Sequence, residues 1–209
     1  MTASADGSGE DAGIPRVACH DDILGEADRE RIDRFLQAPE WEFGWKSRSR
    51  TDVYSFWHKH FAGYRKTGLY SVKDGRWPPP DCADELRKTS DLLFRFWTLL
   101  NGTLLKGHSL VRCYANAMPF GAEGTLHTDS TAPSSHTCIY YPHRIWHPNW
   151  AGETVFFDRD HSDVIASIYP KPNRLVLFRG DMPHVARGVS RTCPALRVTL
   201  VFKTEAPAP

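Results

Sequence analysis

A His-x-Asp triplet in the second half of the chain carries residue types that could bind a metal. His127 and Asp129 are separated by one residue, and a second histidine, His184, follows within Asp-Met-Pro-His-Val. In an extended strand, residues i and i+2 project to the same face, so both side chains can reach one point. Two histidines and one carboxylate form the facial triad that suits Fe(II) and leaves coordination positions open for chemistry.

A His-x-Asp pair alone is a weak signal, because it arises readily by chance in a chain with ten histidines. Its ordinary interpretation is a surface histidine near a turn carboxylate. An arginine, Arg197, follows His184 within Leu-Arg-Val-Thr-Leu-Val-Phe, where a guanidinium is costly to bury without a partner. The planar fork of arginine matches a carboxylate, so Arg197 is a candidate anchor for an organic acid bound at the metal.

The sequence leaves alternative roles open for Arg197 and for several residues near it. Arg197 could instead lie on an edge strand with its side chain in water. Thr199 shares the face of Arg197 and could add a hydroxyl contact. Arg191 is the rival anchor, although it lies in a polar turn. Asp181 is a candidate to orient His184, or else a turn residue.

The first half of the chain is predicted to be helical and aromatic. Residues 1–14 are polar and acidic, and we expect them to be disordered. A strand is predicted from Val17 to Leu24, and helices from about Ala27 to Gln37 and from Asp81 to about Leu100. The aromatic segment from Trp41 to Trp77 is interpreted either as a substrate-facing lid or as a helical or irregular segment packed on the core.

The second half is predicted to be a β structure, because short β-prone runs alternate with Gly and Pro turn residues. Eight strands are predicted, over residues 110–117, 125–130, 137–141, 154–158, 164–168, 175–178, 184–189 and 197–203. The predicted fold is mostly β with flanking helices: a jelly-roll (double-stranded β-helix) core braced by N-terminal helices. We expect one domain, residues 15–205, with a helical and aromatic part (15–106) and a jelly-roll core (107–205).

Composition limits the classes of partner. The 209 residues carry a formal net charge of +1, which gives no electrostatic reason to expect nucleic acid or an acidic membrane. The five cysteines are widely spaced and are expected to be free thiols in a reducing compartment. With no signal peptide or apolar span visible, the expected location is the cytoplasm. The sequence does not predict an oligomeric state.

Further motifs follow His-x-Asp in order: Thr-Cys-Ile-Tyr-Tyr at 137–141, Ala-Gly-Glu-Thr at 151–154, and Pro-Lys-Pro-Asn-Arg-Leu-Val-Leu-Phe at 170–178. Together with His184 and Arg197, these motifs resemble the 2-oxoglutarate/Fe(II)-dependent dioxygenase superfamily, in its prolyl-4-hydroxylase-like branch. The resemblance runs from about residue 111 to residue 203. Two positions depart from the family pattern, since Ala151 and Asn173 stand where glycine is usual, and Asn accepts left-handed turns.

The resemblance implies roles for individual residues. The implied iron ligands are His127, Asp129 and His184. The implied contacts to the co-substrate 2-oxoglutarate are Arg197 and Tyr141 at its C5 carboxylate and Tyr114 near the metal, with Thr199 as a further candidate. Tyr141 is otherwise a core aromatic residue. A carboxylate at position 129 favours oxygen transfer, because related halogenases lack it.

The function implied by the resemblance is oxidation of an unactivated C–H bond by O2, with 2-oxoglutarate converted to succinate and CO2. A small or medium polar substrate is expected, such as a natural-product intermediate, and ascorbate is expected to support the assay. The alternative substrate is a peptide, as for a prolyl-type hydroxylase. Alternatives of another class are a non-catalytic cupin-like binding module and an interaction domain that docks a partner through residues 41–77.

Overall fold

The computed structural model describes residues 17–46, 52–64 and 81–207. The predicted tail, 1–14, and parts of the aromatic segment, 47–51 and 65–77, lie outside these residues. The helices are α1 (Glu26–Gln37), α2 (Ala83–Thr89) and α3 (Asp91–Gly102), with a 3-10 turn at Pro148–Trp150. The strands are β1 (Val17–His20), β2 (Glu42–Trp45), β3 (Phe56–Gly63), β4 (Ser109–Met118), β5 (Ser135–Tyr141), β6 (Thr154–Phe157), β7 (Val164–Ile168), β8 (Arg174–Arg179), β9 (His184–Ala186) and β10 (Arg197–Glu205).

Two antiparallel sheets form the β core. The larger sheet has the strand order β1-β8-β5-β10-β4-β3-β2, and the smaller has the order β7-β6-β9. The predicted jelly-roll core with bracing helices is confirmed. No helix in the described part of the chain is long and apolar enough to cross a membrane. All five cysteines are free, as expected, and only Cys19 is exposed.

The two faces of the larger sheet have different chemistry because side chains alternate along each strand. On β10, Leu200 and Phe202 belong to the apolar core shared with the helices, and Phe202 contacts the ring of Phe96 on α3. The intervening side chains, including Arg197 and Lys203, project from the opposite face. The helices thus cover one face with hydrocarbon, and the other face carries the polar residues.

Three local predictions differ from the structure. The helix predicted from Asp81 to Leu100 is interrupted at Ser90, whose hydroxyl caps α3 by accepting from the N–H of Leu93 at 3.3 Å. Residues 125–130 form no regular strand and contribute one isolated bridge. Within the aromatic segment, residues 42–45 and 56–63 are strands that extend the larger sheet, so the helical or irregular interpretation is wrong there. Aromatic side chains pack well on a pleated surface.

Gly63 ends β3 in close contact with β4. Its φ is +84°, and a Cβ at this position would lie 2.2 Å from the carbonyl oxygen of Val111. Gly121 has nearly the same φ, +85°, but open space around the missing Cβ. Alanine substitutions at Gly63 and Gly121 therefore separate the free-energy cost of a left-handed backbone from the cost of a steric clash.

We therefore expect Gly63→Ala to lower the free energy of unfolding by roughly 3 kcal/mol or more, because strain and overlap with backbone add. Gly121→Ala should cost only about 1 kcal/mol, from the left-handed backbone alone. Urea denaturation of both variants measures the two losses. Equal losses would contradict the close approach of β3 to β4.

Candidate active site

Backbone pairing brings the two candidate histidines together. The N–H of His127 donates to the carbonyl of His184 at 3.0 Å, and the N–H of His184 donates back at 2.8 Å. The ring centroids are consequently 4.5 Å apart. The N–H of Asp129 donates to the carbonyl of Gly180 at 2.8 Å, which fixes the carboxylate beside both imidazoles.

The donor atoms of the three residues converge. One ligand atom from each of His127, Asp129 and His184 lies within 4.8 Å of the others. The Nε2 atoms of His127 and His184 are 3.6 and 3.7 Å from the carboxylate oxygens of Asp129. Two imidazoles and one carboxylate at these separations fit a single divalent ion of the Fe(II) type.

Backbone carbonyls set the tautomer of both imidazoles. The Nδ1 of His127 contacts the carbonyl of Thr125 at 2.8 Å, and that of His184 contacts the carbonyl of Met182 at 2.9 Å. A carbonyl can only accept, so each Nδ1 donates, and each Nε2 presents a lone pair to the centre. Burial lowers the pKa of His184 to about 4, which keeps its imidazole neutral and able to ligate at neutral pH.

Asp181 does not orient His184, contrary to one of the two interpretations. Its carboxylate accepts from the guanidinium of Arg179 at 3.1 and 3.0 Å, while Met182 supplies the carbonyl that holds His184. Asp181 is thus paired within its own turn. A backbone acceptor leaves no signal in a side-chain motif, which is why the sequence did not indicate Met182.

The carboxylate of Asp129 is held ionised by its neighbours. The ammonium of Lys203 contacts Oδ2, and the hydroxyl of Thr137 donates to the same oxygen at 2.7 Å. Burial works to raise the pKa of Asp129, but the charge of Lys203 and the two imidazoles hold that pKa well below its usual value. Lys203 is not among the residues predicted from the sequence, although it lies on the same face of β10 as Arg197 and Thr199, at the i+2 spacing of a strand.

Arg197 is buried and has no acidic partner among the residues that the structure describes. Its side chain is among the largest that are fully buried, and β10 lies inside the sheet between β5 and β4, so the edge-strand alternative is excluded. Its Nε donates to the carbonyl of Gly152 at 2.5 Å and its Nη2 to the hydroxyl of Thr154 at 2.8 Å. No ion pair joins it to a carboxylate in the described residues, so its charge is available to a ligand. The rival, Arg191, is exposed.

The other predicted contact residues lie around this face. Tyr141 is fully buried, its hydroxyl is 2.7 Å from that of Thr154, and the guanidinium of Arg197 lies 5.6 Å from its ring centroid. Thr199 is buried one pleat along from Arg197. Burial raises the pKa of Tyr114, and the nearby carboxylate of Asp129 raises it further. The structure thus places Tyr141 beside the arginine and Tyr114 beside the triad.

The Ala-Gly-Glu-Thr turn has a physical reason in the packing of Arg197. A Cβ on Gly152 would lie 3.2 Å from Cδ of Arg197, and the φ of Gly152 is +85°. Glycine therefore lets the turn carbonyl reach the guanidinium. Ala151 and Asn173, which replace usual glycines, adopt φ of +55° and +61°, so the left-handed turn expected at Asn173 is confirmed.

Comparisons with known proteins agree with this geometry. Residues 111–202 match the sequence profile of the 2OG-Fe(II) oxygenase superfamily. A prolyl-4-hydroxylase from Pseudomonas putida is similar in structure, with TM-score 0.58 and 15% identity, covering 92% of this chain and 94% of that one. The α-ketoglutarate-dependent epimerase SnoN from nogalamycin biosynthesis gives TM-score 0.59 and 12% identity over 91% and 78% of the two chains.

HygX from Streptomyces hygroscopicus, solved with nickel and 2-oxoglutarate bound, gives TM-score 0.58 and 10% identity, covering 91% of this chain and 83% of that one. No curated protein sequence matched the chain. At these identities, the structural likeness establishes the fold alone. The superfamily profile adds that the matched region spans the triad and Arg197.

His143 is a buried imidazole close to Arg197, and it should make stability depend on pH. Burial, together with the positive charge of Arg197, lowers the pKa of His143 to about 3. Between about pH 6.5 and 3, His143 is protonated in the unfolded chain and neutral in the folded protein. The free energy of unfolding is therefore highest above about pH 6.5 and decreases as the pH falls towards 3.

We expect His143→Gln to reduce this acid sensitivity by up to about 1 kcal/mol per pH unit within the window. Denaturant titrations between pH 6.5 and 4 measure the slope. The exposed His147 provides the control, since His147→Gln should leave the slope unchanged. An unchanged slope in His143→Gln would show that the imidazole is not held neutral.

Proposed function

We propose that the chain, whose residues 111–202 match the profile of the 2OG-Fe(II) oxygenase superfamily, hydroxylates, or otherwise oxidises, an unactivated C–H bond of a small or medium-sized polar molecule. O2 and 2-oxoglutarate are consumed, and succinate and CO2 are the co-products. The observation that carries the proposal is the His127–Asp129–His184 cluster with the buried Arg197 beyond it. Iron and 2-oxoglutarate are the cofactor and co-substrate of the superfamily.

The residues present fit the metal and are proposed as its ligands. His127 and His184 offer Nε2 lone pairs, and Asp129 offers an ionised carboxylate. When bound, Fe(II) supplies the redox chemistry that couples decarboxylation of 2-oxoglutarate to oxidation of the substrate. The protein itself has to hold the ligands, orient the co-substrate and limit the access of water.

Arg197 is proposed to bind the C5 carboxylate of 2-oxoglutarate. Its guanidinium is oriented by Gly152 and Thr154 and stays charged when buried, so a carboxylate can accept two parallel hydrogen bonds from it. The hydroxyl of Tyr141 is available beside it, and Thr199 lies on the same face. The phenol of Tyr114 is kept protonated by burial and can donate to an oxygen near the triad.

The burial of the triad suits controlled access. The side chains of His127, Asp129 and His184 are 15%, 12% and 6% exposed, so the centre is recessed but reachable. A recessed centre between two sheets favours a small substrate. A peptide is the second candidate, because a prolyl-4-hydroxylase is among the similar structures. A cupin-like binding module is disfavoured, since cupins offer more histidines at the metal and no buried arginine.

We expect the full chain to release succinate from 2-oxoglutarate when Fe(II) and ascorbate are added, slowly even without substrate. His127→Ala should reduce this release at least about 100-fold and abolish the weak visible charge-transfer band, because a metal ligand is lost. Coupled succinate assays and anaerobic absorption spectra measure the two effects. Absence of both turnover and the band in the wild-type protein would remove the proposal.

We expect Arg197→Leu to raise the KM for 2-oxoglutarate at least about 10-fold, because a charge-assisted, two-point contact is lost. The matched control is Arg191→Leu, which removes an exposed arginine from the preceding turn and should leave this KM unchanged. Steady-state kinetics with 2-oxoglutarate varied would distinguish the two. A larger increase of this KM in Arg191→Leu than in Arg197→Leu would show that Arg191 binds the C5 carboxylate.

A further inference from the structure

A second buried arginine lies on the polar face of the larger sheet. Arg112 of β4 pairs directly with Lys203 of β10, whose ammonium contacts Asp129. Paired residues of antiparallel strands project to the same side, so Arg112 faces the triad and not the helices. Its exposed fraction is 2%. The residue thus belongs to the interior of the site, next to the candidate metal centre.

Aromatic rings enclose the Arg112 guanidinium. Its central carbon lies 4.3 Å from the ring centroid of Tyr114, 4.9 Å from that of Trp45 and 5.1 Å from that of Tyr64. The rings stabilise a cation through their faces and keep water away from it. They supply no negative charge, however, so the guanidinium remains a full cation in a poorly solvated place.

No counter-ion accompanies this cation in the part of the chain that the structure describes. Its Nε has no hydrogen-bond partner, and no carboxylate lies within ion-pair distance. Its Nη2 is 3.4 Å from Nε2 of His58, whose Nδ1 is 2.8 Å from the side-chain oxygen of Asn116. Arginine can only donate, so this Nε2 accepts and carries no proton. By contrast, Arg174 is paired with Asp21 at 2.7 and 3.0 Å.

Arg112 and Arg197 cannot serve one small anion. Arg197 pairs with Met118 at one end of the β4–β10 ladder, and Arg112 pairs with Lys203 at the other. Six residues along β10 separate the two pairs, which is roughly 20 Å at the rise of a strand. If Arg197 holds 2-oxoglutarate, the charge of Arg112 is left for a different ligand.

We propose that Arg112 binds a carboxylate of the primary substrate, so that the substrate is a small organic acid. The inference rests on the proposed function, because it needs a second, non-oxoglutarate ligand in the same site. The flat guanidinium offers Nε and an Nη as a fork, which matches the two oxygens of a carboxylate. Because Arg112 pairs with Lys203, and Lys203 contacts Asp129, the bound carboxylate would lie on the same face of the sheet as the candidate metal centre.

The test uses the full chain loaded anaerobically with Fe(II) and saturating 2-oxoglutarate, which occupies Arg197. The probes for calorimetric titration are propanoate, pentanoate and benzoate, each with its primary amide, and inorganic phosphate. We expect at least one acid to bind about 10-fold or more tightly than its amide. Arg112→Gln should abolish this preference and leave the affinity for 2-oxoglutarate unchanged, and Arg112→Lys should retain part of it.

Three results would overturn the proposal. They are acids and amides of equal affinity in the wild-type protein, an acid preference that survives in Arg112→Gln, and binding of phosphate without binding of any acid. The titration needs no turnover. A wild-type protein that fails to convert 2-oxoglutarate would count against the oxygenase function, while the titration would still decide on the anion site.

Thermal unfolding distinguishes recognition from a structural role. Removing a buried charge that has no counter-ion should leave the Tm of Arg112→Gln unchanged or higher. Arg174→Gln is the matched control, and its Tm should fall because Asp21 loses the two-point contact from Arg174 and keeps only that from Lys171. A Tm that falls further in Arg112→Gln than in Arg174→Gln would assign Arg112 to the fold and overturn the proposal.

Discussion

The alternation of side chains along β10 is the constraint on which the rest of the structure depends. Val198, Leu200 and Phe202 belong to the apolar core that the helices complete. The residues between them face the other way and include Arg197 and Lys203. Because β10 lies between β5 and β4, its side chains are not at an edge of the sheet where they could turn into solvent. The helices therefore do more than brace the barrel. Their packing against one face of β10 fixes which of its side chains face the candidate active site.

Among the buried charged groups described in the site, Asp129 has an oppositely charged partner, whereas Arg197 and Arg112 have none. The negative charge of Asp129 is matched by the positive charge of Lys203. Arg197 and Arg112 are instead held by carbonyl, hydroxyl, imidazole and ring contacts, none of which is an anion. Buried cations of this kind are expensive to keep. Their retention on the inner face of a β core is typical of residues kept for ligands and not for stability.

The sequence predicted features that depend on residues close together in the chain, and it did not predict features that depend on pairing between distant strands. The spacing of His127 and Asp129 and the position of Arg197 in an apolar strand are local features. The structure brings the first two together with His184 and buries Arg197. The strand character of residues 42–45 and 56–63 depends on pairing with β4, which no local pattern shows. The approach of Arg112 to Lys203 depends on the register between two distant strands. Backbone acceptors such as the carbonyl of Met182 have no side-chain signature at all.

The contacts of Asp129 have a consequence for how its carboxylate can ligate. Oδ2 accepts from the hydroxyl of Thr137, touches the ammonium of Lys203 and lies 3.7 Å from Nε2 of His184, whereas Oδ1 lies 3.6 Å from Nε2 of His127. If Asp129 holds a metal ion, a carboxylate engaged in this way would favour ligation through one oxygen, Oδ1. Bidentate coordination would occupy a further position around the metal. The Lys203–Thr137 pair would thereby leave more positions around a bound ion free for a chelating co-substrate and O2.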